Sequence, residues 1–377
     1  MKISTNAEKL QGLVSDVAKG VGDNKLLPIT SMIGIKYKDS TLYLTSTDGA
    51  NLLRVSADIG KAEKDEDYGD ITVSADMFIG LVSKLSDCSS IDLEVDKSIL
   101  VVSAYQGIKS VGEYKLELPL DDMGGVVKFP NLDTKIDLVN SADDPVSYSL
   151  NEVTVNEMLN SCKQALATDV SESCYANYLV GDKIMSTDRA RAVFLDTNIL
   201  NGQEHFLLGR RFTDLLALMN EDIKLTVSTA GMYATDEHGT ELYTSATGDI
   251  GEFNEKAMDN MLKMEFTSMC KIRKSELLNT LNRMILFCSK YDNNGIDVKF
   301  REDSLVISSL KSSAVEEIEY TEFKNAEMFD MCIDVTLLLS HIKAYASDIV
   351  ELHFGNPKCI KLVDGSVTQI IALVAKS

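Results

Sequence analysis

The residues of this 377-residue chain that could bind a transition metal or perform nucleophilic chemistry are few: four histidines and seven cysteines. His205, His238, His341 and His353 form no pair at metal-ligand spacing. Cys88, Cys162, Cys174, Cys270, Cys288, Cys332 and Cys359 include no C-x-x-C pair, and none stands near a histidine at zinc-finger spacing. Most sit in apolar surroundings, as buried free thiols in a reducing cytoplasm do. The chain also lacks a P-loop, a G-x-S-x-G elbow and an H-E-x-x-H pair. Thr47-Asp48 and Thr187-Asp188 invite a catalytic reading, but such pairs at strand ends ordinarily make turn hydrogen bonds. The residues therefore predict no enzyme, no metal and no cofactor.

What remains is charge. The chain carries 37 Lys+Arg against 58 Asp+Glu, a net charge of -21, which argues against a uniform phosphate-binding surface. Any nucleic-acid role must rest on local sorting, and the sorting is present. Across 6–20, 74–86, 154–166, 209–219, 271–287 and 335–345 there are eleven basic and six acidic residues, so the ratio inverts. Lys9, Lys19, Lys84, Lys163, Arg210, Arg211, Lys274, Arg283 and Lys343, with Lys25 in a following loop, are the expected DNA contacts. Such a set meets duplex phosphates without reading sequence.

Those segments are the helices of an internal repeat. Ile3–Val17 and Ile71–Leu85 coincide at six of fifteen positions, and each reads as strand, N-cap (Asn6, Ser74) and helix. One apolar stripe at i, i+3, i+4, i+7 runs Leu10, Leu13, Val14, Val17 in the first and Phe78, Leu81, Val82, Leu85 in the second. It returns as Val155, Met158, Leu159, Cys162, as Phe212, Leu215, Leu216, Met219, and as Val335, Leu338, Leu339, Ile342. A looser copy holds Leu277, Leu281 and Met284 with Leu278 and Ile285. β-branched or alternating runs follow, such as Ile33–Tyr37, Leu42–Ser46, Ile91–Val95, Leu100–Ser103, Ile223–Ser228 and Ile349–Phe354.

The unit is β-α-β-β-β, and two units make a domain. The expected fold is α+β with three tandem domains, 1-128, 129-255 and 256-377, joined near Lys128–Leu138 and Gly248–Leu262. Lys61–Asp70 is expected to be a charged surface loop. No signal-peptide run opens the chain and no 18-residue apolar stretch occurs, so a soluble intracellular protein with no membrane partner is expected.

Five motifs, in order, resemble the bacterial DNA polymerase III beta sliding clamp. They are Leu27-Pro28-Ile29, Leu42-Tyr43-Leu44-Thr45-Ser46-Thr47-Asp48, Ile71-Thr72-Val73-Ser74-Ala75, Phe129-Pro130-Asn131-Leu132-Asp133 and Ser186-Thr187-Asp188-Arg189-Ala190-Arg191-Ala192-Val193. The resemblance spans essentially the whole chain. It implies a processivity factor: a head-to-tail homodimer whose helices line a ring around duplex DNA, with sheets outside. Such a clamp is placed by a clamp loader and tethers the replicative polymerase. It also implies a cytoplasmic location, at the nucleoid or in a phage-infected cell.

Carried over residue by residue, the dimer interface would join Ile108 and Lys109 (within Ala104–Val111) to Ile285, Leu286, Glu316, Glu317 and Glu319. The partner-peptide groove would use Tyr175, Thr187, Arg191, Gly251, Ile371, Ala372, Leu373 and Val374. Three features depart from the family pattern. Arg189-Ala190 stands where the family has glycine-histidine, Gly251 where proline is common, and Leu373-Val374-Ala375-Lys376-Ser377 replaces a Met/Pro-rich ending. That divergence fits a phage or mobile-element clamp. The alternative is a clamp-fold scaffold or decoy that binds clamp partners without encircling DNA.

Overall fold

The computed structural model describes residues 2–60, 68–168, 174–197, 199, 204–310, 314–324 and 329–374. Most of the charged stretch 61–70 therefore lies outside the described residues, as do the last three residues of the tail.

Six repeats follow one another. The first is β1 (Lys2–Asn6), α1 (Ala7–Ala18), β2 (Met32–Lys38), β3 (Thr41–Thr47) and β4 (Asn51–Asp58). The second is β5 (Tyr68–Ser74), α2 (Ala75–Val82), β6 (Ser90–Asp96), β7 (Ile99–Gln106) and β8 (Lys109–Glu117). After a linking helix α3 (Leu132–Asn140) come β9 (Val146–Asn151), α4 (Glu152–Asn160), β10 (Asn177–Val180), β11 (Lys183–Thr187) and β12 (Arg191–Asp196). The fourth holds β13 (Phe206–Gly209), α5 (Arg210–Leu216), β14 (Asp222–Ser228), β15 (Gly231–Thr235) and β16 (Glu241–Thr244). A second linking helix, α6 (Glu255–Leu262), precedes β17 (Ser268–Arg273), α7 (Lys274–Met284), β18 (Gly295–Phe300), β19 (Ser304–Ser309) and β20 (Val315–Glu319). Short β21 (Glu322–Lys324) leads to β22 (Phe329–Asp334), α8 (Val335–Ala344), β23 (Ile349–Phe354), β24 (Cys359–Asp364) and β25 (Val367–Ala372).

The stripes read from the sequence are the buried faces of these helices. Val335, Leu338, Leu339 and Ile342 of α8 are all buried, as are Leu10, Val14 and Val17 of α1. Burial of each such side chain contributes about 1.5–3 kcal/mol as an upper estimate, which outweighs the weak propensity of a ten-residue helix. Asn6 caps α1 by accepting the Lys9 amide. Ser74 sits at the corresponding position of α2 but makes no capping bond.

The strands pair less simply than the repeats. In each successive pair of repeats the first strands are exchanged: β1 pairs with β6 and β5 with β2, β9 with β14 and β13 with β10, β17 with β23 and β22 with β18. Three intertwined pairs of repeats result.

Two compact units are formed, Met1–Glu152 with Arg211–Gly248, and Val153–Arg210 with Asp249–Ser377. The first holds an eight-stranded sheet, β5-β2-β3-β4-β16-β15-β14-β9, and a four-stranded one, β1-β6-β7-β8. The second holds a nine-stranded sheet, β13-β10-β11-β12-β25-β24-β23-β17-β21, and a four-stranded β20-β19-β18-β22. The linking helices cover the faces of the large sheets turned away from the stripes. Leu132 and Val139 of α3 pack with Leu52, Phe129 and Tyr243, and Met258 of α6 packs with Leu179, Phe194 and Ile370.

Candidate functional site

The two Thr-Asp pairs build the same turn twice. Thr47 Oγ1 donates to the Asn51 carbonyl at 2.6 Å and accepts from the Gly49 amide at 3.0 Å. Asp48 Oδ1 accepts from the Ala50 and Asn51 amides. The second copy matches bond for bond. Thr187 Oγ1 donates to the Arg191 carbonyl at 2.7 Å and accepts from the Arg189 amide at 3.0 Å, while Asp188 Oδ1 accepts from the Ala190 and Arg191 amides. Both pairs are structural. They differ at two positions, Asn51 against Arg191 and Gly49 against Arg189; Gly49 has φ +98 and Arg189 has φ +71, so an arginine occupies the left-handed conformation that glycine adopts without cost.

The second turn carries the rim of a cavity of about 180 Å³, lined by Arg189, Ala190, Arg191, Ala192, Met261, Met264, Lys358, Cys359, Ile370 and Ala372. Its floor is apolar and rich in sulfur, with Cys359 Sγ 3.3 Å from Met264 Sδ. Such polarisable, unbranched groups adapt to varied apolar occupants. Its rim is cationic. Arg189 and Lys358 are exposed, whereas Arg191 is held by Asp188 at 2.8 Å and donates to Ser340 Oγ at 3.0 Å. Beneath Arg191, His341 is fully buried and shares a hydrogen bond with Gln369. Burial, and then the Arg191 charge, push this imidazole down to about 4, so it is neutral near pH 7. Tyr175 is clamped beside the cavity, its ring 5.2 Å from that of Phe253 and 4.9 Å from the Arg189 guanidinium.

Of the eight groove residues expected from sequence, Arg191 and Ala372 line this cavity. Thr187 is buried inside the turn, and Tyr175 reaches the rim through Arg189. Gly251 lies in a turn of its own, with φ +57 and a bond to Asp249. Ile371 points into the opposite core and is fully buried there. Successive strand residues face opposite sides, so the neighbouring Ile370 and Ala372 face the cavity. Leu373 and Val374 tie the chain down, their amides bonding the Lys358 and Cys332 carbonyls at 2.8 Å. Met261, Met264, Lys358 and Cys359 were not anticipated, although a methionine in the last turn of a capped helix and another just past it were a readable signal.

The expected interface residues lie at two open edges, one in each unit. β8 and β20 are terminal strands of the four-stranded sheets. Ile108, at the hairpin tip before β8, is fully exposed, and Lys109 begins that strand exposed. Glu317 and Glu319 are exposed on β20. Leu286 is 78% exposed just past α7, while Ile285 beside it packs partly onto the core.

The basic residues proved unequal. Lys9, Lys25 and Lys84 of the first unit are exposed, although Lys9 also bonds the Asp58 carbonyl. Lys19 pairs with Asp16 at 3.1 Å, and Arg211 with Asp48 at 3.3 Å. In the second unit Lys163 and Arg210 are half-buried, Lys274 bonds the Tyr345 carbonyl, and Lys343 shares a cavity of about 610 Å³ with Glu157 and Asp364. Arg283 is bound to Glu316 of the open edge, with Nε 2.7 Å from Oε1. That pair raises the guanidinium and lowers the carboxyl. Arg283 thus joins the edge rather than the free basic set. Among the described residues no cluster of three or more His, Cys, Asp or Glu side chains could hold a metal. No described helix is long and apolar enough to cross a membrane.

Three intertwined pairs of β-α-β-β-β repeats define the DNA-clamp fold. Residues 1–117 match the family model "DNA polymerase III beta subunit, N-terminal domain", the resemblance already carried by the sequence motifs. No curated protein matches the chain in sequence. Solved structures align over 100% of both chains: the DNA polymerase III subunit beta of Pseudomonas aeruginosa (18% identity, TM-score 0.79) and that of Thermotoga maritima (14%, 0.80). A Helicobacter pylori beta clamp bound to a DNA ligase peptide aligns equally fully (17%, 0.77). At these identities the likeness establishes the beta-clamp fold, in a divergent sequence.

Proposed function

We propose that this chain is a non-enzymatic DNA sliding clamp, placed on DNA by a clamp loader, that encircles duplex DNA as a homodimer and tethers a replicative polymerase and other partners. The observation that carries the proposal is the pattern of sheet edges. The last strands of four repeats pair within the chain, β4 with β16 and β12 with β25, both antiparallel. The last strands of the other two, β8 and β20, are open. Head-to-tail pairing of β8 with β20 of a second copy would complete the series. Two such joints close a two-fold ring, and closure removes edges that would otherwise invite aggregation. Charge does not oppose the joint, since β8 balances Lys109 and Lys115 against Glu113 and Glu117, whereas β20 carries Glu316, Glu317 and Glu319. In this ring the three domains, 1–128, 129–255 and 256–377, repeat twice. The helices face the duplex, with Lys9, Lys25 and Lys84 as phosphate contacts and the 180 Å³ cavity as the partner-peptide pocket.

The test is topological. With a compatible loader, the protein should remain on nicked circular DNA and run off linear duplex of the same length. Replacing Lys9 and Lys84 with Glu should cut loading at low salt, and the deficit should shrink as salt rises. Equal retention on circles and linear DNA would refute encirclement. Retention on neither, with partner binding intact, would favour a scaffold.

A further inference from the structure

We infer that the buried pair His341–Gln369 sets the register of β25, and so decides which of two adjacent isoleucines faces the cavity. This role is independent of what occupies the cavity. β25 reads Val367-Thr368-Gln369-Ile370-Ile371-Ala372. Val367, Gln369 and Ile371 share one face of the strand, and Thr368, Ile370 and Ala372 share the other. A slip of one residue would exchange the two faces. In an alternating strand burial forbids such a slip, because it would turn polar side chains inward. Here one isoleucine would take the place of the other, and both are buried already. Apolar patterning therefore separates the two registers poorly.

Gln369 does separate them. It is 1% exposed and meets the fully buried His341 of α8, in a hydrogen bond of 2.5 Å between Nδ1 and Oε1. The remaining side-chain nitrogen of each residue, Nε2, has no protein partner among the described residues. Burying two polar groups for one bond returns little stability, and two apolar side chains would hold the seam about as firmly. Fixing register is the best-attested use of such a pair. In a slipped strand either Thr368 or Ile370 would stand where Gln369 stands. Isoleucine offers no hydrogen bond, and threonine is too short to replace the glutamine. The other large sheet carries a mark of the same kind on its opposite face. There Glu241 of β16 lies directly across from Arg54 of β4 and is bonded to it at 2.5 Å. At the β12–β25 joint Phe194 faces Thr368, which gives no polar link on that face. The His341–Gln369 pair, on the α8 side, takes over the task.

The experiment uses the full chain with isoleucine, leucine and methionine methyl groups labelled for NMR. The wild type should give one set of signals, with Ile370 against Met261 and Met264 and Ile371 against the methyl groups of α8. His341→Leu with Gln369→Leu should melt no more than about 3 °C below the wild type. It should nevertheless show a second set, in which the two isoleucines exchange partners. His341→Gln with Gln369→His rebuilds a polar pair and should restore the single set. Thr368→Gln with Gln369→Thr moves the glutamine by one residue, and the exchanged set should then dominate. A single native set in both the double-leucine and the transposed chain would overturn the inference. A double-leucine chain that melts lower than stated, or fails to fold, would also overturn it, because the pair would then be a plain stabiliser.

Discussion

If β8 of one copy meets β20 of another, the joint should also cover Leu286, which follows the end of α7 where Arg283 holds Glu316 of β20. Its side chain is 78% exposed in the single chain, so Leu286→Ala should leave the fold of that chain untouched. Burying a leucine contributes about 1.5–3 kcal/mol, and trimming it to alanine forfeits roughly 1–2 kcal/mol at each joint. A two-fold ring has two joints, so the loss totals about 2–4 kcal/mol, or a roughly 30- to 1000-fold weaker dimer. Leu286 is a cleaner probe than Ile285, which packs partly against the core and would confuse stability with association. Analytical ultracentrifugation across nanomolar to micromolar concentrations measures the dissociation constant, and a thermal melt of the isolated monomer checks the fold. A variant whose dimer dissociates within threefold of the wild type would refute the edge pairing. So would a wild-type chain that stays monomeric at micromolar concentration.

Two further outcomes follow from single networks. Asp133 joins α3 to Arg54 at 2.6 Å, and these bonds overcome desolvation to hold its carboxyl below the ordinary 3.8. Its contribution is whole above that value and is lost as pH falls through the folded one, so the stability gap between wild type and Asp133→Asn, measured by urea unfolding, should vanish in strong acid. The carboxyl is half exposed, so the gap should be modest and salt-sensitive. Removing residues 373–377 breaks two backbone hydrogen bonds and uncovers part of the Leu373 packing, a loss of about 2–4 kcal/mol, whereas removing only 375–377 spares both; thermal melts of the two truncations should differ by several degrees.

The six main helices were legible because each has one stripe, and a stripe declares its buried face whatever it packs against. The exchange of first strands was not legible. β1 and β5 alternate as any half-buried strand does, and alternation says nothing about which neighbour supplies the partner. α3 and α6 were read only as joins, since each is a short helix with few buried residues, Leu132 and Val139 in one and Met258 in the other. The pocket suffered from the same period-two rule. Motif matching placed the run Ile371–Val374 near the groove, but only the pairing of Arg191 with Ile371 and Ala192 with Ile370 shows which neighbour faces the cavity. Arg283 and Glu316 were assigned to separate surfaces, because sequence distance hid an ion pair between α7 and β20.

The two large sheets build one duplicated joint in two ways. Each is stitched where the last strands of two repeats meet, beside a Thr-Asp turn, and each outer face is crossed by a linking helix. At the β4–β16 joint that face is closed. Phe129 lies so near Gly34 that even a methyl group there would meet its ring at 2.7 Å. Arg54 ties Asp133 of α3 to Glu241, and Glu241 accepts a further bond from the Tyr233 hydroxyl at 2.7 Å. Burial alone would lower the Arg54 guanidinium, but Glu241 and Asp133 outweigh it and raise it, so the arginine is charged and fully engaged. At the β12–β25 joint Phe194 stands where Arg54 stands in the closed copy, Arg191 turns inward to Asp188 and Ser340, and α6 leaves Met261 and Met264 lining a cavity instead of filling it. A joint needs no cavity to hold two strands together, as the closed copy demonstrates. The open copy forgoes packing energy on the order of 1 kcal/mol for each methyl-sized void, which an apolar side chain of a partner would recover under the proposed function.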